Sequence, residues 1–220
     1  MSNSASADAR SSIFASIREN LAASMHFDAR RHEPLNPPEP SSALSGDSIV
    51  VLDAFRESLE LVGAKCDIVE SEYEAAVRLV AIVKDLSATK IAISDSELVR
   101  RIVKVAGIEA IEDASREELF SSEIGITSAQ SAIAETGTLV LESGAERHRL
   151  VSLVPPVHAC VLPARSIRGS MAEILELADT DAHRTITFIT GASRTSDIEL
   201  TLAIGVHGPG KLYVIVIKDQ

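Results

Sequence analysis

The chain has 220 residues, 45% of them hydrophobic and 24% charged, with a formal net charge of −11. That length suffices for one sizeable core and is short for two, and the composition is that of a folded globular protein. The negative charge, with no Lys/Arg stripe interleaved with aromatics, argues against direct nucleic-acid binding. No apolar run approaches the ~20 residues of a membrane-spanning helix.

In chain order, the start lacks a basic and an apolar leader region, so no secretory signal is expected and a cytoplasmic protein is. Residues 9–25 predict an amphipathic helix, with Ile13, Ile17 and Leu21 at four-residue spacing and Phe14 alongside. His32 to Pro40 carries four prolines within seven residues, which prescribes an extended connector. Residues 1–45 are therefore an N-terminal helix and Pro-rich connector, and residues 46–220 the main domain.

Ile49 to Val62 predicts a helix stopped by Gly63, Lys65 to Val69 a strand, and 71–86 a helix with Ala76, Leu79, Val80, Val83 and Leu86 on one stripe. Ile91 to Ile93 predicts a strand, 96–106 a helix, and Ile108 to Ile111 another strand. This alternation is that of an α/β layer architecture. Thr138 to Glu142 and Leu150 to Leu153 predict a hairpin, Val157 to Leu162 a strand, and Met171 to Ala178 a surface helix. Thr185 to Thr190, a helix over 198–204 and Lys211 to Ile217 predict a terminal βαβ crossover. The expected sheet is mixed, with parallel units at both ends and an antiparallel insertion between.

The two cysteines, Cys66 and Cys160, are too few for a four-cysteine cluster and are expected to be inert buried thiols. The six histidines show no metal-ligand spacing, so no protein-bound metal is expected.

Three segments carry candidate chemistry. Gly191 to Asp197 leaves a predicted strand and enters a predicted helix, where free N–H groups favour an anion. Ser193, Arg194, Thr195, Ser196 and Asp197 are the candidate ligand-binding residues, and Arg194 adds a fixed positive charge. The same residues also fit plain capping, with Ser196 and Glu199 as a capping box and Gly205 as the helix stop. Glu135-Thr-Gly-Thr138 enters a strand: Glu135 can act as nucleophile, base or hydrogen-bond acceptor, or simply cap a turn. Thr136 and Thr138 offer hydroxyls, and Gly137 allows φ > 0 or a close approach of backbone to a ligand. His207, in the Gly/Pro-rich loop Val206 to Gly210, is a candidate catalytic group or an exposed turn residue.

Glu135-Thr-Gly-Thr138, Leu153-Val-Pro-Pro-Val-His158, Thr190-Gly-Ala-Ser-Arg-Thr-Ser-Asp-Ile-Glu199 and Gly205-Val-His-Gly-Pro209 together resemble the LUD domain family, in order and spacing, over roughly residues 120–217. The α/β region from about residue 47 fits the rest. The resemblance implies a three-layer α/β/α fold similar to the ribose-5-phosphate isomerase, glucosamine-phosphate deaminase and CoA-transferase group. It also implies a role in oxidising L-lactate to pyruvate beside two iron–sulfur companion proteins.

Lactate oxidation needs an electron acceptor. The chain lacks cluster cysteines and a Gly-x-Gly-x-x-Gly turn, so no cofactor is expected within it, and iron–sulfur clusters are expected in the partners. On this reading the chain is an accessory or substrate-binding subunit: Arg194 holds the carboxylate, and Glu135 or His207 handles the hydroxyl proton. The alternatives are a stand-alone CoA-transferase-like or sugar-phosphate isomerase-like enzyme using Glu135, or a regulatory scaffold. Glu135, Arg194 and His207 are expected to converge at one edge of the sheet, at the strand ends.

Overall fold

The structure, a computed structural model, describes residues 12–19, 48–143, 149–177, 185–195, 203–205 and 207–218. Met1–Pro40 and Ser41–Gln220 are separate units. In the first, residues 12–19 form a helix (α1) on which Ile13, Phe14 and Ile17 are exposed. Leu21 and the proline-rich connector lie outside the described residues.

The second unit begins with α2 (Ser48–Leu61), which buries Leu52, Phe55 and Leu59. Gly63, at φ +81, turns the chain into β1 (Lys65–Val69). α3 (Glu72–Asp85) starts where the Ser71 side chain accepts from the Glu74 N–H, and it carries Glu72 and Glu74 in its first turn and Lys84 in its last. β2 (Ile91–Ile93), α4 (Glu97–Ala106) and β3 (Ile111–Glu112) follow, with Gly107 in the left-handed region behind α4. α5 (Arg116–Ser121) opens with a capping box between Ser115 and Glu118.

Next come β4 (Ile124–Ser128), β5 (Ser131–Ile133), β6 (Thr138–Glu142), β7 (Val157–Pro163), β8 (Ile167–Arg168) and α6 (Met171–Leu177). The chain closes with β9 (Ile186–Thr190), β10 (Arg194–Thr195), β11 (Ala203–Ile204) and β12 (Lys211–Ile217).

Six strands form one sheet in the order β1-β12-β7-β4-β2-β3, parallel at every pairing. Alternation along β7 splits its two faces. Val157, Ala159 and Val161 pack with α3 and α4, including Leu79, Val99 and Ile102. Cys160 and Leu162 pack with Phe55 and Leu59 of α2 and with Leu139 of the second sheet. That second sheet, β8-β5-β6-β9, is mixed: β5 pairs β6 and β6 pairs β9 antiparallel, while β5 pairs β8 in parallel. The chain is thus α/β with a parallel central sheet covered on both sides, and its antiparallel pairs lie outside that sheet, in the mixed second sheet and in the β10–β11 ribbon.

Two sequence expectations are corrected here. Residues 149–152 form a 3₁₀ turn, Arg149–Ser152, and no strand. Ser152 Oγ donates to the Arg149 carbonyl at 2.8 Å, and the N–H groups of Leu153 and Val154 return to Leu150, so the segment satisfies itself locally. The partners of β6 are β5 and β9 instead. Likewise β9 and β12 lie in different sheets, so no βαβ crossover joins them. Burial explains the split: Leu212 to Ile217 is buried throughout, as a central parallel strand must be, whereas Phe188 and Thr190 of β9 are exposed.

Candidate functional site

The pairing Ile133↔Thr138 leaves Ala134 to Gly137 as the turn between β5 and β6. Gly137 has φ +63, and a Cβ there would stand 2.5 Å from the Leu59 nitrogen and 2.7 Å from the Ser58 carbonyl carbon. The backbone that closely approaches this glycine is that of α2. Glu135 is exposed, its Oε1 accepts from the Met171 N–H at 2.9 Å, and its own N–H donates to the Gly169 carbonyl at 3.1 Å. Its carboxylate therefore caps the first turn of α6, where a negative charge is favourable. Thr136 Oγ1 lies 2.7 Å from Thr138 Oγ1, which lies 2.7 Å from Thr190 Oγ1. Thr138 is buried while Thr136 and Thr190 are exposed, so a chain of hydroxyls runs between two surface positions.

Beyond Thr190 the backbone turns at Gly191, φ +78, where a Cβ would meet the Val62 carbonyl oxygen at 2.7 Å. The Ser193 N–H donates to the Pro209 carbonyl at 2.8 Å, and its carbonyl accepts from the Gly205 N–H at 3.0 Å. Arg194 and Thr195 then pair antiparallel with Ile204 and Ala203. These residues form a narrow ribbon, which corrects the expected helix at Ala203 and Ile204 and with it the reading of Gly205 as its stop, while residues 198–202 lie outside the described residues. Ser196, Asp197 and Glu199 lie outside the described residues. Arg194 Nη2 donates to the Val62 carbonyl at 3.0 Å, at the C-terminal end of α2, where a cation meets unsatisfied carbonyls.

His207 is exposed. Its loop ends at Gly210, whose N–H donates to the Pro156 carbonyl at 2.9 Å. Pro156 and Gly210 immediately precede β7 and β12, and Val62 precedes β1. The loop carrying Ser193 and Arg194 leaves the carboxyl end of β9, as expected, and with the His207 loop it gathers at the amino edge of the parallel sheet. Thr136, Thr138 and Thr190 join this group through Gly191, whereas Glu135 is engaged by α6. Arg194 has five N–H donors and the bond to Val62 occupies one. An exposed guanidinium with N–H donors beyond the one bonded to Val62 is chemically suited to a small carboxylate.

A second polar group escaped sequence reasoning. Ser94, Thr127 and His158 are all buried on the face of the central sheet turned toward α2. His158 Nε2 lies 2.8 Å from Thr127 Oγ1, and burial pushes the imidazole down to about 4, so it is neutral near pH 7. The signal was present: a histidine amid the apolar run Val157 to Leu162 must either find a partner or cost stability.

The sequence profile of the LUD domain matches residues 52–217, and the chain belongs to the LUD domain family. An uncharacterized protein of Neisseria meningitidis serogroup B is 38% identical over 109 residues, 48% of this chain and 47% of that protein. The Lactate utilization protein C of Deinococcus radiodurans is 40% identical over 106 residues, 47% of this chain and 50% of its own length. That of Bacillus subtilis is 35% identical over 103 residues, 44% of this chain and 43% of its own length. The matched regions thus span about half the length of these curated relatives. A crystal structure of a DUF162 family protein from Deinococcus radiodurans superposes with a TM-score of 0.59 at 27% identity, covering 78% of this chain and 99% of that one.

Proposed function

We propose that this chain acts in L-lactate utilisation as a subunit that binds a small carboxylate and passes the redox work to iron–sulfur companion proteins. The observation that carries the reading is the exposed guanidinium of Arg194, held by the Val62 carbonyl on which Gly191 packs, directly after the hydroxyl chain Thr136–Thr138–Thr190. The naming of several relatives as Lactate utilization protein C supplies the substrate.

In this reading Arg194 takes the lactate carboxylate through the N–H groups not bonded to Val62, and the Thr136 and Thr190 hydroxyls receive the ligand hydroxyl. His207, on the loop tied to Ser193, takes the hydroxyl proton, and the C2 hydrogen leaves as a proton to solvent, as lactate gives up two electrons to become pyruvate. The electrons go to an iron–sulfur acceptor on a companion. Glu135 holds α6 in place rather than attacking substrate, so the geometry favours this reading over a CoA-transferase-like one.

The test is L-lactate-dependent dye reduction by this chain, its two iron–sulfur companions, and all three together. Activity only in the full mixture, lost with Arg194→Ala, supports the assignment. Full activity of the pair without this chain contradicts it.

A further inference from the structure

On the face of the central sheet away from α2, the C-terminal ends of α3 and α4 flank an open cavity of about 410 Å³ at the start of β2. Pockets that hold small molecules run from about 300 to 1,000 Å³ and combine an apolar lining with a few polar groups. The lining here is largely apolar: Val80 and Val83 come from α3, Ile91 from β2, and Ala106 and Ile108 from the end of α4. Ile91 is 3% exposed, whereas the other four keep part of their surface open. A Cβ added to Gly107 would meet nothing within 4 Å, so no protein atom fills the space beside this turn.

Two groups of opposite charge also line the cavity. Lys84 lies in the last turn of α3, and Glu109 follows α4. Both are exposed, and among the described residues neither side chain has an ionic or hydrogen-bonded partner. The other charges of α4 differ in this respect: Arg100 is bonded to Glu112, and Arg101 to Glu72. Thr89, at the same cavity, already donates its hydroxyl to Glu123 Oε2 at 3.2 Å.

Both helices end here in the same way. The Ala88 N–H donates to the Val83 carbonyl and the Ile108 N–H to the Val103 carbonyl, with Ser87 and Gly107 in the left-handed region. Two helix C-termini thus border one space, and each carries a partial negative charge that favours a cation. A lone carboxylate would be attracted by Lys84 but repelled by Glu109 and both helix ends. A lone ammonium would meet the opposite conflict at Lys84. A molecule with both charges on an apolar body matches every group present.

We propose that this cavity binds a small aliphatic α-amino acid. Its carboxylate pairs with Lys84, its ammonium with Glu109, and its branched hydrocarbon lies against Val80, Val83 and Ile108. Both charges stay at the exposed rim, so neither is taken fully out of water. The cavity borders α3 and α4, whereas Arg194 is tied to α2, and the inference does not depend on the lactate reading.

The test titrates the ¹⁵N-labelled full chain with L-leucine, isocaproate and isoamylamine, which share a branched hydrocarbon and differ in charge. L-leucine is expected to give saturable shifts at the amides of Ala88, Gly107 and Ile108. Each singly charged analogue should bind about fivefold more weakly, the worth of one exposed charge contact. Lys84→Gln should abolish the preference for leucine over isoamylamine, and Glu109→Gln the preference over isocaproate. Both side chains are exposed and bond to nothing in the fold, so both variants should remain folded. No saturable shift with L-leucine, or shifts confined to the Arg194 loop, would overturn the proposal. Equal affinity for all three compounds would overturn it as well, as would variants that keep the parent's preferences, since the two charges would then play no part.

Discussion

The backbone of Leu59 lies so close to Gly137 that a Cβ on the glycine would stand 2.5 Å from the Leu59 nitrogen. The obstruction is helix backbone, which cannot swing aside as a side chain can. Gly137 also sits at φ +63, where an L-residue is strained. Gly137→Ala is therefore expected to cost on the order of 3 kcal/mol from strain and overpacking together. Urea unfolding followed by circular dichroism checks this; a variant as stable as the parent would mean that α2 does not rest on this turn.

Thr138 carries the middle hydroxyl of the chain between Thr136 and Thr190. Thr138→Val keeps the shape and removes both bonds. Its exposed partners can turn to water, so the expected loss is about 1 kcal/mol. Anion affinity should fall with it, because Thr136 and Thr190 lose the group that orients them.

His158 gives stability a pH dependence of definite sign. Its folded pKa of about 4 lies below the ordinary 6.5, because burial disfavours the charged ring. As pH falls, the unfolded chain takes up the proton first. The stabilisation is thus fully present above pH 6.5 and is lost progressively between 6.5 and 4, by about 3 kcal/mol. Denaturation midpoints measured across that window should decline, and His158→Gln should flatten the slope there. Unchanged slopes in that variant would assign the acid sensitivity elsewhere.

The thiols should be unreactive in the native state. Burial first, then the neighbouring charges of Asp67 and Glu60, push Cys66 up to about 12, and Cys160 is fully buried. Iodoacetamide at neutral pH should label neither in the folded chain and both in urea. Rapid native labelling of Cys66 would show that β1 opens locally.

Much of the fold was legible because the signals were local. Gly63 marked the end of α2, the apolar stripe of Ala76, Leu79, Val80, Val83 and Leu86 marked α3, and the apolar run Leu212 to Ile217 marked a buried strand. What was missed depends on distant partners. Nothing near Leu150 shows that Ser152 will satisfy Arg149 and close a 3₁₀ turn. The sequence Ile186-Thr-Phe-Ile-Thr190 suits a strand in either sheet, and only the half-exposed alternation of Phe188 and Thr190 points to the outer one.

The site shows the same limit. Glu135, Arg194 and Gly137 were recognisable as unusual residues in their loops. That Glu135 would cap Met171, Arg194 reach Val62, and Gly137 meet Leu59 are contacts across 36, 132 and 78 positions of sequence, which no local pattern encodes. Ser94 and His158 went unremarked as a pair because their relation arises only from the order β7-β4-β2.

The central claim is that the Arg194 cluster receives a small carboxylate. Titration calorimetry of L-lactate into the full chain and into Arg194→Ala tests it most directly. Arg194 is exposed and makes one bond to the Val62 carbonyl, so the variant should lose only about 1 kcal/mol of stability and remain folded. The account expects saturable binding by the parent chain and none by the folded variant. Equal binding by both, or no binding by either, would contradict it.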